Sequence, residues 1–499
     1  MILEQSVISI PNDLRYLSPL QGFAKEVLKQ VGFDSKDTEM TLLCLEEAVT
    51  NVIEHAFDPG EKDFFQVIIK PLASGIRIIV KDKGLPYDPS LIPDFKIYPG
   101  LDEQTDSGLG VYLMKHIMDE VSFHNLGREG KELHLTKYLP AKNITEYHTH
   151  EKLSPFIQKP LEIIRQEEDS IMEIRLMKPS EAIDASRIFY RAYGYTYSID
   201  EIYYPERFKR LIEEGKIISI VGLNSKGDIV SHTGIKRESA DAVIGEAGMA
   251  ATTPDFRGKG SFTRMLDYLN NMAKKQGMKG LYGRGTTFHP FSQKAGNTCG
   301  YRDCAITLCS LPSDRVYKGM GNTTDRPGTV YAYLSLTEHA KATIYPPEHH
   351  RGFIKDIYNN LNIQVEIVES CSSGEIGLQD QSNFKVDYLP YFNRADIKLY
   401  TYGKDVIDRL AETMKMLLKR KVDVVNLFLD LKDPATVQLC ERIERLGFFI
   451  AGAMPLLYFN HTLILQYLNN ISPDYSKIQV FSDFGRYMLD YIKERDPNR

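Results

Sequence analysis

Cys44-Leu45-Glu46-Glu47-Ala48-Val49-Thr50-Asn51-Val52-Ile53-Glu54-His55-Ala56 carries the apolar spacing of an amphipathic helix: with Leu42 ahead of it, Leu45, Val49, Val52 and Ile53 return every three or four residues. The same period sets Glu47 and Asn51 at i and i+4, one above the other on a face that His55 continues. An acid, an amide and an imidazole then look into a common cleft while the apolar stripe rests on a sheet. Alone, such a pair reads first as a solvated helix face, so its meaning depends on what lies further along the chain.

Two beta-branched runs follow, Gln66-Val67-Ile68-Ile69-Lys70 and Gly75-Ile76-Arg77-Ile78-Ile79-Val80-Lys81, parted by a turn at 71–74. From Asp13 to about Tyr138 the expected order is helix, helix, strand, strand, helix, strand, an α+β layer fold. Directly after the second run comes Asp82-Lys83-Gly84, where a carboxylate at a strand end can accept from an adenine amino group and Gly84 lets the ring approach the backbone. Ser107-Gly108-Leu109-Gly110 then feeds the amphipathic helix Val111–Met118, and a glycine turn at a helix N-terminus offers bare N–H groups to phosphate. Each piece is common turn chemistry by itself. Their order and spacing together are specific.

Over nearly all of residues 10–140 this pattern resembles the GHKL (Bergerat-fold) ATPases, and among them the anti-sigma factor serine kinases: Glu-Ala-Val-Thr-Asn at 47–51, Asp82-x-Gly84 and Gly108-x-Gly110 match that family's three nucleotide boxes. The resemblance implies ATP as ligand, Asn51 holding Mg²⁺, Glu47 as general base, Asp82 as adenine reader, Gly108 and Gly110 under the phosphates, and a lid over 90–106. It departs at Gly130-Lys131-Glu132, where the family often has a threonine after the glycine. The family's substrate is a serine on a small anti-anti-sigma protein.

Residues 141–171 carry Pro155 and Pro160 without a stable apolar period and are read as a linker ahead of a second unit at 172–325. In it the strand Gly245–Thr253 meets Pro254-Asp255-Phe256-Arg257-Gly258-Lys259-Gly260-Ser261-Phe262 and a helix with Met265, Leu266, Leu269 and Met272 on its apolar side. A strand, a glycine loop and a helix N-terminus make an anion cradle, to which Arg257 and Lys259 add charge; the plain alternative is an ordinary strand-to-helix turn.

In context this segment resembles motif A of the GNAT acetyltransferases, over about 172–312. That resemblance implies acetyl-CoA, with Arg257, Gly258, Lys259, Gly260 and Ser261 around its diphosphate and Thr252 beside the pantetheine arm. Glu246 is the candidate base for deprotonating an amine, against a reading as an exposed strand glutamate. The tyrosine that serves many relatives as acid falls at Gly296, and Phe262 is bulkier than the family's usual Gly or Ala. His289-Pro290 leading to Gly300-Tyr301 is echoed by Asp433-Pro434 leading to Gly447-Phe448, a sign of two copies of one fold. The third unit, 326–499, has no Arg-x-x-Gly-x-Gly loop between Val386 and Val424 and is expected to be a degenerate GNAT-like fold.

The chain's 499 residues allow about three domains at roughly 100–200 residues each. With 61 basic against 67 acidic residues, net charge −6, it offers no general grip on nucleic acid phosphates. Six scattered cysteines suit reduced thiols better than a disulfide framework or a zinc site. No run approaches the ~18 apolar residues of a membrane span, and the N-terminus lacks signal-peptide order, so the expected place is the cytoplasm, away from membranes. The expected function is a regulatory ATP-binding kinase fused to an acetyltransferase. The alternative is a switch that senses ATP and acetyl-CoA without turnover. Either way the expected partner is a protein, a sigma factor or an anti-anti-sigma-like protein, with a homodimer possible.

Overall fold

A short strand, β1 (Ser6–Pro11), and two helices, α1 (Leu17–Val31) and α2 (Ser35–His55), open a computed structural model that describes residues 5–72, 75–86, 109–139, 171, 173–253, 256–257, 260–313, 316–317, 321–322, 325–368 and 378–499. Helix α1 buries Leu20, Ala24 and Leu28, spaced four apart, and ends at Gly32, whose φ of +108° suits a residue without Cβ. Asp34 caps α2 by accepting from the Asp37 N–H at 2.8 Å. Helix α2 turns Cys44, Leu45, Ala48, Val49 and Val52 inward, leaving Glu47 and Asn51 half-buried and His55 exposed.

The strands β2 (Phe64–Leu72) and β3 (Gly75–Asp82) follow, then α3 (Leu109–Ile117), β4 (Glu120–Asn125) and β5 (Lys131–Tyr138). They form an antiparallel sheet in the order β1-β2-β3-β5-β4. Phe65, Val67, Ile69, Ile76, Ile78 and Val80 point from it into the core that the helices cover. This is an α/β sandwich of the expected type, with β1 and one further strand beyond the expected order. β4 alternates between exposed and half-buried residues and so shows little apolar signal.

The chain divides into two compact units, Met1–Asp169 with Asp200–Phe208, and Ser170–Ile199 with Lys209–Arg499. Of the expected linker 141–171, residues up to 170 lie outside the described ones. Ile171 is buried in the core of the second unit, packed with Ile220, Met265 and Leu281.

In the second unit the chain runs through β6 (Glu173–Leu176), α4 (Ala182–Tyr193), the part of α5 (Pro205–Glu213) from Lys209 on, β7 (Ile217–Leu223), β8 (Ile229–Lys236), β9 (Ile244–Thr252), α6 (Ser261–Lys275), β10 (Gly280–Thr286), α7 (Phe291–Thr298) and β11 (Arg302–Thr307). The strand Thr329–Ser335 then inserts between β10 and β11, so the sheet order is β6-β7-β8-β9-β10, Thr329–Ser335, β11. That strand lies past the expected boundary at 325 yet fills the gap in its own copy. The first copy therefore runs at least to Ser335.

The C-terminal half repeats this path. Asn383–Leu389 pairs antiparallel with Arg394–Thr401, the helix Val406–Lys419 leads to the parallel strand Val424–Asp430, and Ala435–Glu444 leads to Phe449–Pro455 and His461–Leu468. The last strand again inserts before the penultimate one. The two copies meet where β11 pairs antiparallel with Phe449–Pro455, Ala305 opposite Gly452, and all twelve strands form one sheet. The two copies thus share one order of elements, as the repeated Pro-to-Gly-aromatic pattern of the sequence led us to expect.

Candidate functional site

Helix α2 is the spine of the first site. Its Glu47 and Asn51 face the first turn of α3, where a Cβ added to Gly110 would lie 2.5 Å from Glu47 Oε2 and 3.7 Å from Asn51 Nδ2. A side chain at this position would have to push the Glu47 carboxylate aside. Burial, and after it the charges of Glu46 and Glu54, raise the Glu47 carboxyl above its ordinary value. Gly108 lies outside the described residues, as do 90–106, the expected lid.

Asp82 ends β3 in a buried position, 4% exposed, and its Oδ1 accepts from the Gly84 N–H at 2.8 Å. Gly84 packs on the end of α2, where a Cβ would run into the Ala56 carbonyl and where the Leu85 N–H donates to that same oxygen at 2.5 Å. The glycine is thus required by the chain's own close approach, whatever ring comes near.

A second partner of Asp82 was not singled out in the sequence as a site residue. Lys131 stands directly opposite it in the β3–β5 register, and its Nζ forms an ion pair with Asp82 Oδ1 and donates to the Leu85 carbonyl at 2.9 Å. The substitution seen at Gly130-Lys131 therefore puts an ammonium on the expected base-reading carboxylate. The available signal was the antiparallel register, which makes Gly130-Lys131 cross from Asp82.

The second site is built around β9 and β10. They pair in parallel only from Ile244–Glu246 with Gly280–Tyr282, while both strands continue beyond, so they part towards their C-terminal ends. Met249 has φ +48° where the β8 register slips, and its carbonyl accepts from His232 Nδ1 at 2.7 Å. Thr233 donates to the Gly248 carbonyl at 2.7 Å and the Tyr193 hydroxyl to the Ala250 carbonyl at 2.8 Å. Burial pushes His232 down to about 4, so it holds the irregular strand as a neutral imidazole.

Thr252 closes β9, its hydroxyl 2.8 Å from that of Ser231. Arg257 Nε donates to the Thr252 carbonyl at 3.1 Å. Gly260 caps α6 with φ +71° and stands exposed, with open space around its Cα. The Ser261 side chain is turned inward, its hydroxyl donating to the Phe256 carbonyl at 3.2 Å. Gly258 and Lys259 lie outside the described residues.

Glu246 differs from an open base. Arg284 on β10 grips it with Nε to Oε1 at 2.8 Å and Nη2 to Oε2 at 2.7 Å. A bidentate guanidinium engages both carboxylate oxygens, so proton abstraction there requires the pair to open first.

In the second copy the corresponding strands pair over Arg394–Lys398 with Val424–Phe428, five positions where the first copy has three, leaving less of a split. Within that paired stretch a buried chain of polar groups crosses three strands: Arg394 pairs with Asp396, Asn426 Nδ2 donates to Asp396 Oδ1 at 2.9 Å, and Gln466 Nε2 donates to Asn426 Oδ1 at 3.2 Å. Among the described residues five cysteines are free, and no described helix is long and apolar enough to cross a membrane.

Residues 10–137 match the family model of the histidine kinase-like ATPase domain. Serine-protein kinases RsbW of Staphylococcus aureus strains RF122/ET3-1 and MSSA476 are 26% identical over 140 residues, covering 27% of this chain and 87% of theirs. Among solved structures, a GNAT superfamily phosphinothricin acetyltransferase from Sinorhizobium meliloti in complex with AcCoA is 16% identical with a TM-score of 0.28, covering 34% of this chain and 90% of that one. The ribosomal-protein-S18-alanine N-acetyltransferase of Escherichia coli is 14% identical with a TM-score of 0.27, covering 34% and 96%. The helix that carries Glu47 and Asn51 and the glycine at the start of α3 that faces them both lie within the span 10–137 that matches the histidine kinase-like ATPase domain model.

Proposed function

We propose that the chain is a regulatory protein whose N-terminal unit binds Mg·ATP and phosphorylates a serine on a protein partner, and whose central copy uses acetyl-CoA. The observation that carries the first half is the convergence of Glu47, Asn51 and Gly110 on one spot of α2. Asn51 would hold Mg²⁺ through its amide oxygen, Glu47 would take the proton of the attacking hydroxyl, and the N–H groups at the start of α3 would face the phosphates. Bound Mg·ATP supplies the transferable phosphoryl group, and bound acetyl-CoA the acetyl thioester. The partner in this reading is a sigma factor or its anti-anti-sigma-like antagonist, met in the cytoplasm.

The open turn at Gly260, with Arg257 beside it, supports diphosphate binding in the central copy. A second reading, sensing of acetyl-CoA without transfer, is favoured by the arginine clamp on Glu246. The test of the ATP site is a pair of variants in the full chain. Asn51→Ala is expected to abolish Mg-dependent ATP binding, while Glu47→Ala keeps binding and loses phosphoryl transfer. Unchanged nucleotide affinity in Asn51→Ala overturns the assignment.

A further inference from the structure

His349 and His350 precede the helix Arg351–Asn360, and Glu444 closes the helix Ala435–Glu444, some 94 residues further on. His349 Nε2 lies 2.6 Å from Glu444 Oε2, and His350 Nε2 lies 2.6 Å from Glu444 Oε1. His350 is only 2% exposed, whereas His349 is half exposed. The three donor atoms all fall within 4.8 Å of one another.

The hydrogens around His350 decide what this cluster needs. Tyr491, on the helix Asp483–Arg495, donates its one hydroxyl proton to the His349 carbonyl at 3.2 Å. Towards His350 Nδ1, 3.0 Å away, its oxygen therefore accepts, and the ring carries its hydrogen on Nδ1. That tautomer turns the Nε2 lone pair at a carboxylate oxygen, an arrangement that calls for a cation between them. A proton on His350 Nε2 can fill that place, with His349 donating from its own Nε2 to the other oxygen. A metal ion fills it as well, and two imidazole nitrogens on the two oxygens of one carboxylate are the donors it would take.

We propose that His349, His350 and Glu444 form a site for a divalent transition metal of the zinc class, with a remaining coordination position open to solvent on the His349 side. Two imidazoles and a carboxylate are a common zinc donor set, at roughly 2.0–2.2 Å from the ion. In tetrahedral geometry that places the donors about 3.4 Å apart, so the two 2.6 Å contacts widen by under an ångström as the ion enters. The Tyr491 hydroxyl is the outer partner that orients the buried imidazole. Its ring is held by stacking on Phe353, centroids 3.9 Å apart, and by the Arg495 guanidinium 3.4 Å from its centroid. The site lies in the second copy and is independent of the nucleotide and acyl-carrier readings.

The test uses the full chain, stripped with chelator and titrated with Zn²⁺ alone, then with Co²⁺ for its visible absorption. His349→Ala, at a half-exposed position, and Glu444→Gln are each expected to bind one equivalent fewer than the wild type, with thermal unfolding as the check on folding. Counting equivalents by difference removes ions taken by other histidines and cysteines. Tyr491→Phe keeps the stacked ring and is expected to weaken zinc binding roughly ten- to a hundredfold without changing its stoichiometry. Equal stoichiometry in the wild type and both ligand variants overturns the site and leaves a shared proton as the cation. Unchanged affinity in Tyr491→Phe overturns the orientation assigned to His350.

Discussion

Lys131→Met removes the ammonium from Asp82 while keeping a stem of similar length, and its effect follows from the two burials. Asp82 is 4% and Lys131 17% exposed, so the pair lies largely out of water and solvent screening discounts it only partly. Taking away one member of such a pair leaves a buried carboxylate short of charge compensation, at a cost of about 3–5 kcal/mol. The partial exposure of Lys131 argues for the lower end, about 3 kcal/mol, or roughly 10 °C in a unit of this size. An adenine amino group reaching Asp82 would return one charge-assisted hydrogen bond, about 1.5–3 kcal/mol. The variant is therefore expected to gain more from Mg·ATP than the wild type does, and little from Mg·ITP, whose base carries a carbonyl in place of the amino group. The assay is calorimetric unfolding of the full chain, following the transition that Mg·ATP shifts. An unchanged transition without nucleotide refutes the ion-pair argument. A gain from ATP no larger than from ITP refutes Asp82 as the base reader that Lys131 occupies.

Two further outcomes are expected. The acid limb of the pH–rate profile for ATP turnover should lie above the ordinary glutamate value of about 4.3, because burial and then Glu46 and Glu54 raise the Glu47 carboxyl, and Glu54→Gln should move that limb down by removing a like charge. Arg257→Ala should weaken acetyl-CoA binding by about 1.5–3 kcal/mol, ten- to a hundredfold by calorimetric titration, whereas Glu246→Gln should leave affinity intact and abolish transfer only if the clamp by Arg284 opens during turnover.

Helix α2 was legible because its function and its burial share one short period: the residues that fill the core and those that face the cleft are both fixed within thirteen positions. The strands β2 and β3 were legible for the same local reason. What escaped depends on pairing between distant segments. Lys131 reaches Asp82 only through the β3–β5 register, 49 residues apart. Glu246 appeared as an open base because its partner Arg284 belongs to the neighbouring parallel strand, 38 residues on. The boundary drawn at 325 followed a glycine-rich turn, a sound local signal, and missed that Thr329–Ser335 returns to complete the sheet behind it. His349, His350 and Glu444 carry no motif spacing at all, since two helices and a third bring them together.

The seam between β11 and Phe449–Pro455 has its own implication. Gly452 sits there with φ +143°, and a Cβ on it would collide with the Cys304 carbonyl and the Ala305 backbone, so the join tolerates no side chain. Equivalent strands of two related copies meet edge to edge, as protomers do in a symmetric dimer, but here the peptide chain fixes the stoichiometry at one of each. Identical subunits must share every substitution. Two halves encoded in tandem are released from that tie, so one can extend its strand pairing and fill its sheet with the buried polar chain Arg394, Asp396, Asn426 and Gln466 while still shielding the other's edge from unwanted strand pairing.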